Sequence, residues 1–177
     1  TSFAAPAAAG AAALVRDYFA QGFYPDGTSS NPGNSGDEVS NISGALLKSV
    51  LIASATYLPR DVQRPNGTNI SWNHRFTNEQ GYGRIQLDNA LPLENWPDSV
   101  SGLVVADGGI PGGVSNLSGL DGTLNVVLGE SDSESFTVCR DDEELRVALS
   151  WLEPDGEDLT NNLNLRLVSP GGKTYIG

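Results

Sequence analysis

The sequence predicts two unlike parts, a helix-bearing part over roughly residues 1–95 and an antiparallel β-sandwich over roughly 96–177. Three observations lead there. In the first part apolar residues recur at 3.6-residue spacing, which gives a helix one apolar face. Beyond Pro97 the period drops to two, the alternation of half-buried strands split by turn residues. Between the two, positions 92–97 begin and end with proline and read as a linker.

A first helix is expected within residues 2–21. Pro6 lies near its start, where a missing N–H costs nothing, and Gly22 lies just past its end, where a left-handed residue can close the last turn. Residues 4–15 carry almost no polar side chain, so this helix is expected in the interior of something large. Those twelve residues are well short of the roughly 20 that cross a bilayer, which makes a buried helix and not an anchor. Residues 23–40, rich in Gly, Pro, Ser and Asn, read as a surface loop. A second, amphipathic helix follows, with Ser43 as N-cap, Pro59 as its stop, and Leu46, Leu47, Val50, Leu51, Ser54, Ala55 and Leu58 along one side. Residues 60–80 form a polar loop. Gly81-Tyr82-Gly83 then predicts a tight turn, a short extended piece and one helical turn up to Leu91.

In the second part, residues 103–105, 124–128, 135–140, 145–152 and 163–168 are the expected strands. Alternation puts Leu145, Val147, Leu149 and Trp151 on one face, and Leu163, Leu165 and Leu167 on another. Ser169-Pro170-Gly171-Gly172 turns the chain into a further strand over 173–176, so the sheet is expected to be unfinished at Gly177.

Composition narrows the function. Hydrophobic residues make up 38% of the 177 and glycine adds 21 more, enough to build a core, whereas the 31 Gly and Pro fall short of a low-complexity chain. A net charge of -12 repels polyanions, which argues against nucleic acid and against an acidic membrane surface as partners. The excess is concentrated: residues 121–158 hold twelve Asp and Glu against Arg140 and Arg146, a net of -10. Cys139 is the single cysteine, which excludes an intrachain disulfide and a metal site built on paired cysteines. Four Asn-x-Ser/Thr sequons, at Asn41, Asn66, Asn69 and Asn116, suit a secreted, extracellular protein. The first residue is Thr1 and no leader pattern follows, so the chain is expected to begin inside a longer protein.

Thr1-Ser2-Phe3-Ala4-Ala5-Pro6, followed by Gly10-Ala11-Ala12-Ala13-Leu14, resembles the segment around the catalytic serine of subtilisin-like serine proteases, Gly-Thr-Ser-Met-Ala-x-Pro continuing into Gly-x-x-Ala-Leu. Phe3 replaces the usual Met, and Ala7 stands where a His or an aliphatic residue is often found. Elementary physics agrees with the motif, because a serine at the mouth of a helix lies beside unpaired N–H groups and the positive end of the dipole, where developing negative charge is stabilised. The resemblance extends to the helix around residues 46–55 and to Gly81-Tyr82-Gly83-Arg84-Ile85-Gln86, which look like the closing elements of the same catalytic domain. Residues 145–151, 159–165 and 169–175 look like the module that follows the protease in some secreted members.

What the resemblance implies is an α/β fold: the C-terminal part of a subtilisin-like α/β catalytic domain, then a partial, jelly-roll-like antiparallel β-sandwich. It implies a serine endopeptidase that hydrolyses polypeptide substrates through an acyl-enzyme on Ser2, without an organic cofactor. The triad Asp and His, and the oxyanion-hole Asn, precede the serine in this family, so residues 1–177 alone are expected to be inactive. His74, the only histidine, follows the serine and is expected to be an ordinary surface residue. A competing expectation from another class is a relative whose upstream triad has decayed, leaving a β-sandwich that binds or stabilises partners. Asp and His motifs ahead of Thr1 would separate the two.

Asp155, Glu157 and Asp158, with the asparagines of 161–164, are candidate oxygen ligands for a structural Ca²⁺; a solvated acidic loop is the alternative, because the family aspartates read here as Asn161, Asn162 and Asn164. Asp141-Asp142-Glu143-Glu144 reads as a charged turn that keeps a sheet edge from pairing, and Cys139 as a packed thiol. The calcium assignment has a direct test. Ligation in the folded state alone raises the melting temperature with Ca²⁺ and lowers it with chelator. Superimposable melts of the full-length protein under both conditions would reduce the cluster to a solvated loop.

Overall fold

The computed structural model describes residues 2–28, 39, 41–58, 62–63, 65–70, 76–77, 80–107, 133, 135–153, 156 and 161–177. Helix α1 runs Ala4–Ala20. Its last turn closes as the glycine predicts: Gly22 takes a left-handed φ of 73°, its N–H donates to the Phe19 carbonyl at 3.2 Å, and the Phe23 N–H reaches back to Tyr18 at 3.1 Å. Only the second half of α1 carries buried residues, at Val15, Tyr18 and Phe19. Its first three turns are largely exposed, with Phe3 at 91% and Leu14 at 62%. Nothing among the described residues covers this half of the helix, and the larger residues near its C-terminus carry the contact with α2.

Helix α2 spans Gly44–Ser54 and packs on α1. Ile42, Leu46 and Val50 meet Val15, Tyr18, Phe19 and Tyr24, and Ala90, Leu91 and Val105 complete the core. The aromatic rings interlock, with Tyr18 edge-on to Phe19 at 5.6 Å and stacked on Phe23 at 5.7 Å. Val105 lies beyond the expected linker and still belongs to this core, and Asp107 is buried as well. The linker itself is pinned: the Glu94 N–H donates to the Gly27 carbonyl at 3.1 Å, and the Ser99 hydroxyl bonds the backbone at Leu93 and Trp96.

Both ends of α2 are satisfied by side chains. Ser43 is extended and its Oγ accepts the Leu46 N–H at 3.0 Å, the N-cap that the sequence predicts. Its own buried N–H donates to Asp107 Oδ2 at 2.7 Å. At the other end Arg146 Nη1 donates to the carbonyls of Ala53 and Ala55, each at 3.0 Å, and Asn89 Nδ2 donates to that of Ser54 at 3.2 Å. The helix stops at Ser54, ahead of Pro59, because Ala55 turns extended and Thr56 exchanges backbone hydrogen bonds with Arg84 at 2.7 and 2.9 Å. Gly83 is required at that crossing. Its φ is 112°, and an added Cβ would stand 2.3 Å from the Thr56 carbonyl oxygen. A 3-10 turn over Leu87–Asn89 follows, where one helical turn is expected.

Among the described residues two short antiparallel hairpins are present: β1 (Val62–Gln63) with β2 (Asn69–Ile70), and β3 (Arg166–Val168) with β4 (Thr174–Ile176). The predicted turn joins the second pair, with Gly172 at φ 80° and its N–H on the Ser169 carbonyl at 2.9 Å. Residues 103–105, 135–140 and 145–152 form no strand ladder among the described residues, and 124–128 lie outside them. Residues 145–152 instead dock on α2 through alternate side chains. Arg146 serves the helix C-terminus, and Ser150 Oγ lies 2.6 Å from Ser49 Oγ while donating to the Ala45 carbonyl. Leu145 and Val147, on the alternate positions, are exposed. Arg146 satisfies two carbonyls of the helix end that would otherwise lack an intrahelical partner.

Two substitutions at glycine should move stability in opposite directions. Gly10 sits inside α1 with open space around it, so Gly10→Ala should add about 1 kcal/mol. Gly83→Ala should cost on the order of 3 kcal/mol through strain and collision. Urea midpoints measure both, and equal effects would refute the close approach at Thr56. Tyr18 supplies a pH test. Its hydroxyl is buried with no hydrogen-bond partner among the described residues, and burial, then the nearby Asp26 and Tyr24, push its ionisation well above the usual tyrosine range. The folded state therefore holds this proton more tightly than the unfolded one, and stability falls as pH rises past about 10, where the unfolded tyrosine ionises. Tyr18→Phe should flatten that alkaline decline and leave neutral stability unchanged or higher. Stability profiles from pH 8 to 11 that coincide for the two proteins would contradict it.

Candidate functional site

Ser2 is exposed and immediately precedes Phe3, the N-cap of α1. Phe3 has helical dihedrals and offers no side-chain oxygen to the first-turn N–H groups, and that turn carries no acidic residue. Among the described residues, neither an N-cap side chain nor a first-turn acid meets the positive end of the helix. Ser2 is thus an exposed hydroxyl one residue ahead of the helix N-cap.

Nucleophilic attack also needs a base. His74, the single histidine of the chain, lies outside the described residues, and so do Asp155, Glu157 and Asp158. Among the described residues no group of three or more potential metal ligands comes together. The ends of the acidic loop are tied together by Glu153, whose carboxylate accepts the Trp151 indole N–H at 2.6 Å and both the backbone and side-chain N–H groups of Asn161.

The expected charged turn is internally paired. Arg140 forks onto Asp142 at 2.8 and 2.6 Å and reaches Glu143 at 3.4 Å. Glu143 in turn accepts the hydroxyl and N–H of Ser101 at 2.8 and 3.2 Å, and those two bonds, ahead of the Arg140 charge, hold its carboxyl below the usual range. Cys139 differs from expectation. It is exposed, beside exposed Phe136 and Val138, because no strand ladder among the described residues packs this segment. A shallow groove between α2 and the glycine turn, lined by Lys48, Leu51, Ile52, Ala55, Tyr82, Gly83 and Ile85, does not include Ser2 and contains no nucleophile with a neighbouring base.

No family model, curated protein or solved structure matches this chain. The site therefore rests on the serine motif and on the helix that it opens. The Arg146 contact with α2 and the Asp107 contact with Ser43 have no signal in the sequence: their partners are 93 and 64 residues away, and neither spacing nor composition pairs them.

Proposed function

We propose that this chain is the serine-bearing part of an extracellular endopeptidase of the subtilisin-like class, with Ser2 as nucleophile. The observation that carries the reading is the exposed Ser2 within Thr-Ser-x-Ala-Ala-Pro, directly ahead of an uncapped helix N-terminus. Ser2 Oγ attacks the carbonyl carbon of the scissile peptide while its proton passes to a histidine supplied by polypeptide outside residues 1–177. Negative charge collects on the carbonyl oxygen, next to the Ser2 N–H and the positive end of α1. The C–N bond then breaks, the amine leaves with the proton, and water releases the acyl group from Ser2. His74 follows the serine and takes no part.

Because Phe3 and not Ser2 is the N-cap, Ser2→Ala should change folding stability by no more than about 0.5 kcal/mol. In the full-length protein it should lower kcat by a factor on the order of 10⁶ and abolish fluorophosphonate labelling. His74→Ala should retain both. Casein cleavage at a comparable rate by the Ser2→Ala protein, or loss of activity in His74→Ala alone, would overturn the assignment.

A further inference from the structure

We infer that Asn66 is a site of N-linked glycosylation, its modifying substrate an oligosaccharide carried on a polyprenyl diphosphate. The sequence holds four acceptor motifs, and the structure sets one apart. Asn66-Gly67-Thr68 lies in the loop joining β1 to β2, where residues 65–68 are all exposed. Gly67 takes φ 81°, and a side chain added there would meet nothing within 4 Å. The hairpin tip is therefore open among the described residues.

The motif is also folded on itself in a form suited to the reaction. Asn66 Oδ1 accepts the Thr68 N–H at 3.1 Å and the Thr68 hydroxyl at 2.7 Å. A backbone N–H can only donate, so the atom facing Thr68 is the oxygen, and the amide nitrogen Nδ2 is the outward end, with no hydrogen bond among the described residues. In the transfer, Nδ2 forms a bond to the anomeric carbon of the sugar, the bond from that carbon to the diphosphate oxygen breaks, the diphosphate leaves with the electron pair, and Nδ2 loses one proton. The Thr68 hydroxyl, already on Oδ1, is placed to polarise the amide during that exchange.

The other motifs are held differently. At Asn41-Ile42-Ser43 the last two residues are buried, and Ser43 has its Oγ on the Leu46 N–H and its N–H on Asp107. Asn69 lies in β2, paired in register with Gln63, and Asn116 lies outside the described residues.

The test expresses the full-length chain behind a cleavable signal sequence in a eukaryotic cell; retained and secreted material serve equally. Peptide-N-glycosidase treatment in heavy-oxygen water, followed by peptide mass spectrometry, should place the label on Asn66. Asn66→Gln, Thr68→Ala and Gly67→Pro should each remove it, the last because proline in the middle position blocks the motif. Thr68→Ser should keep it. The inference is independent of the protease reading: Ser2→Ala should carry the same glycan, so failure of one leaves the other standing. An unlabelled Asn66 in chain that entered the secretory pathway overturns it, as does a glycan that survives Thr68→Ala.

Discussion

A buried helix end must find partners for its own backbone, and α2 finds them far along the chain. Asp107 reaches the N–H of Ser43 at one end, and Arg146 reaches the carbonyls of Ala53 and Ala55 at the other. A buried amide without a partner costs about 1–3 kcal/mol, so these two side chains are conditions for burying α2 and not ornaments upon it. The rest follows from that arrangement. Segment 145–152 lies along α2 because Arg146 and Ser150 hold it there, and Val105 enters the core beside the Asp107 that closes the helix mouth. The aromatic cluster on α1 then has a surface to pack against.

The acidity of the chain looks different in this light. A net charge of -12 would be a source of repulsion if every carboxylate stood free. Several instead accept backbone or side-chain donors: Asp107 from Ser43, Asp26 from Thr28, Glu143 from Ser101, Glu153 from Asn161. Each organises a stretch of backbone that makes no regular ladder. Carboxylates here do part of the work that strands do elsewhere, each offering two acceptor oxygens to nearby donors.

How much was legible in the sequence depended on range. The Ser43 cap, the Gly22 closure, the Gly81–Gly83 turn and the turn at 169–172 each answer a demand made by one or two neighbouring peptide units, and each stands where the residues predicted it. Period-two alternation over 145–152 read the apolar positions as the packed face, yet Arg146 and Ser150 face α2 while Leu145 and Val147 are exposed. A helix C-terminus 91 residues distant decided that, and no local pattern reports it. The exposure of Cys139 was missed because the strand expected over 135–140 forms no ladder among the described residues. Of the candidate site, the serine at a helix mouth was legible because motif and helix start coincide. Its base was not, since the one histidine follows the serine.

The asymmetric burial of α1 makes the helix a lever. It is clamped at Val15, Tyr18 and Phe19, and Ser2 rides at the opposite end, thirteen residues from the nearest clamp, about 20 Å at 1.5 Å per residue. A tilt of only about 3° at the clamp swings the tip by about 1 Å, a displacement that can cost on the order of 100-fold in a reaction that demands alignment. On the reading proposed above, the placement of Ser2 therefore depends on the rings of Tyr18, Phe19 and Tyr24 that anchor the far end of the helix.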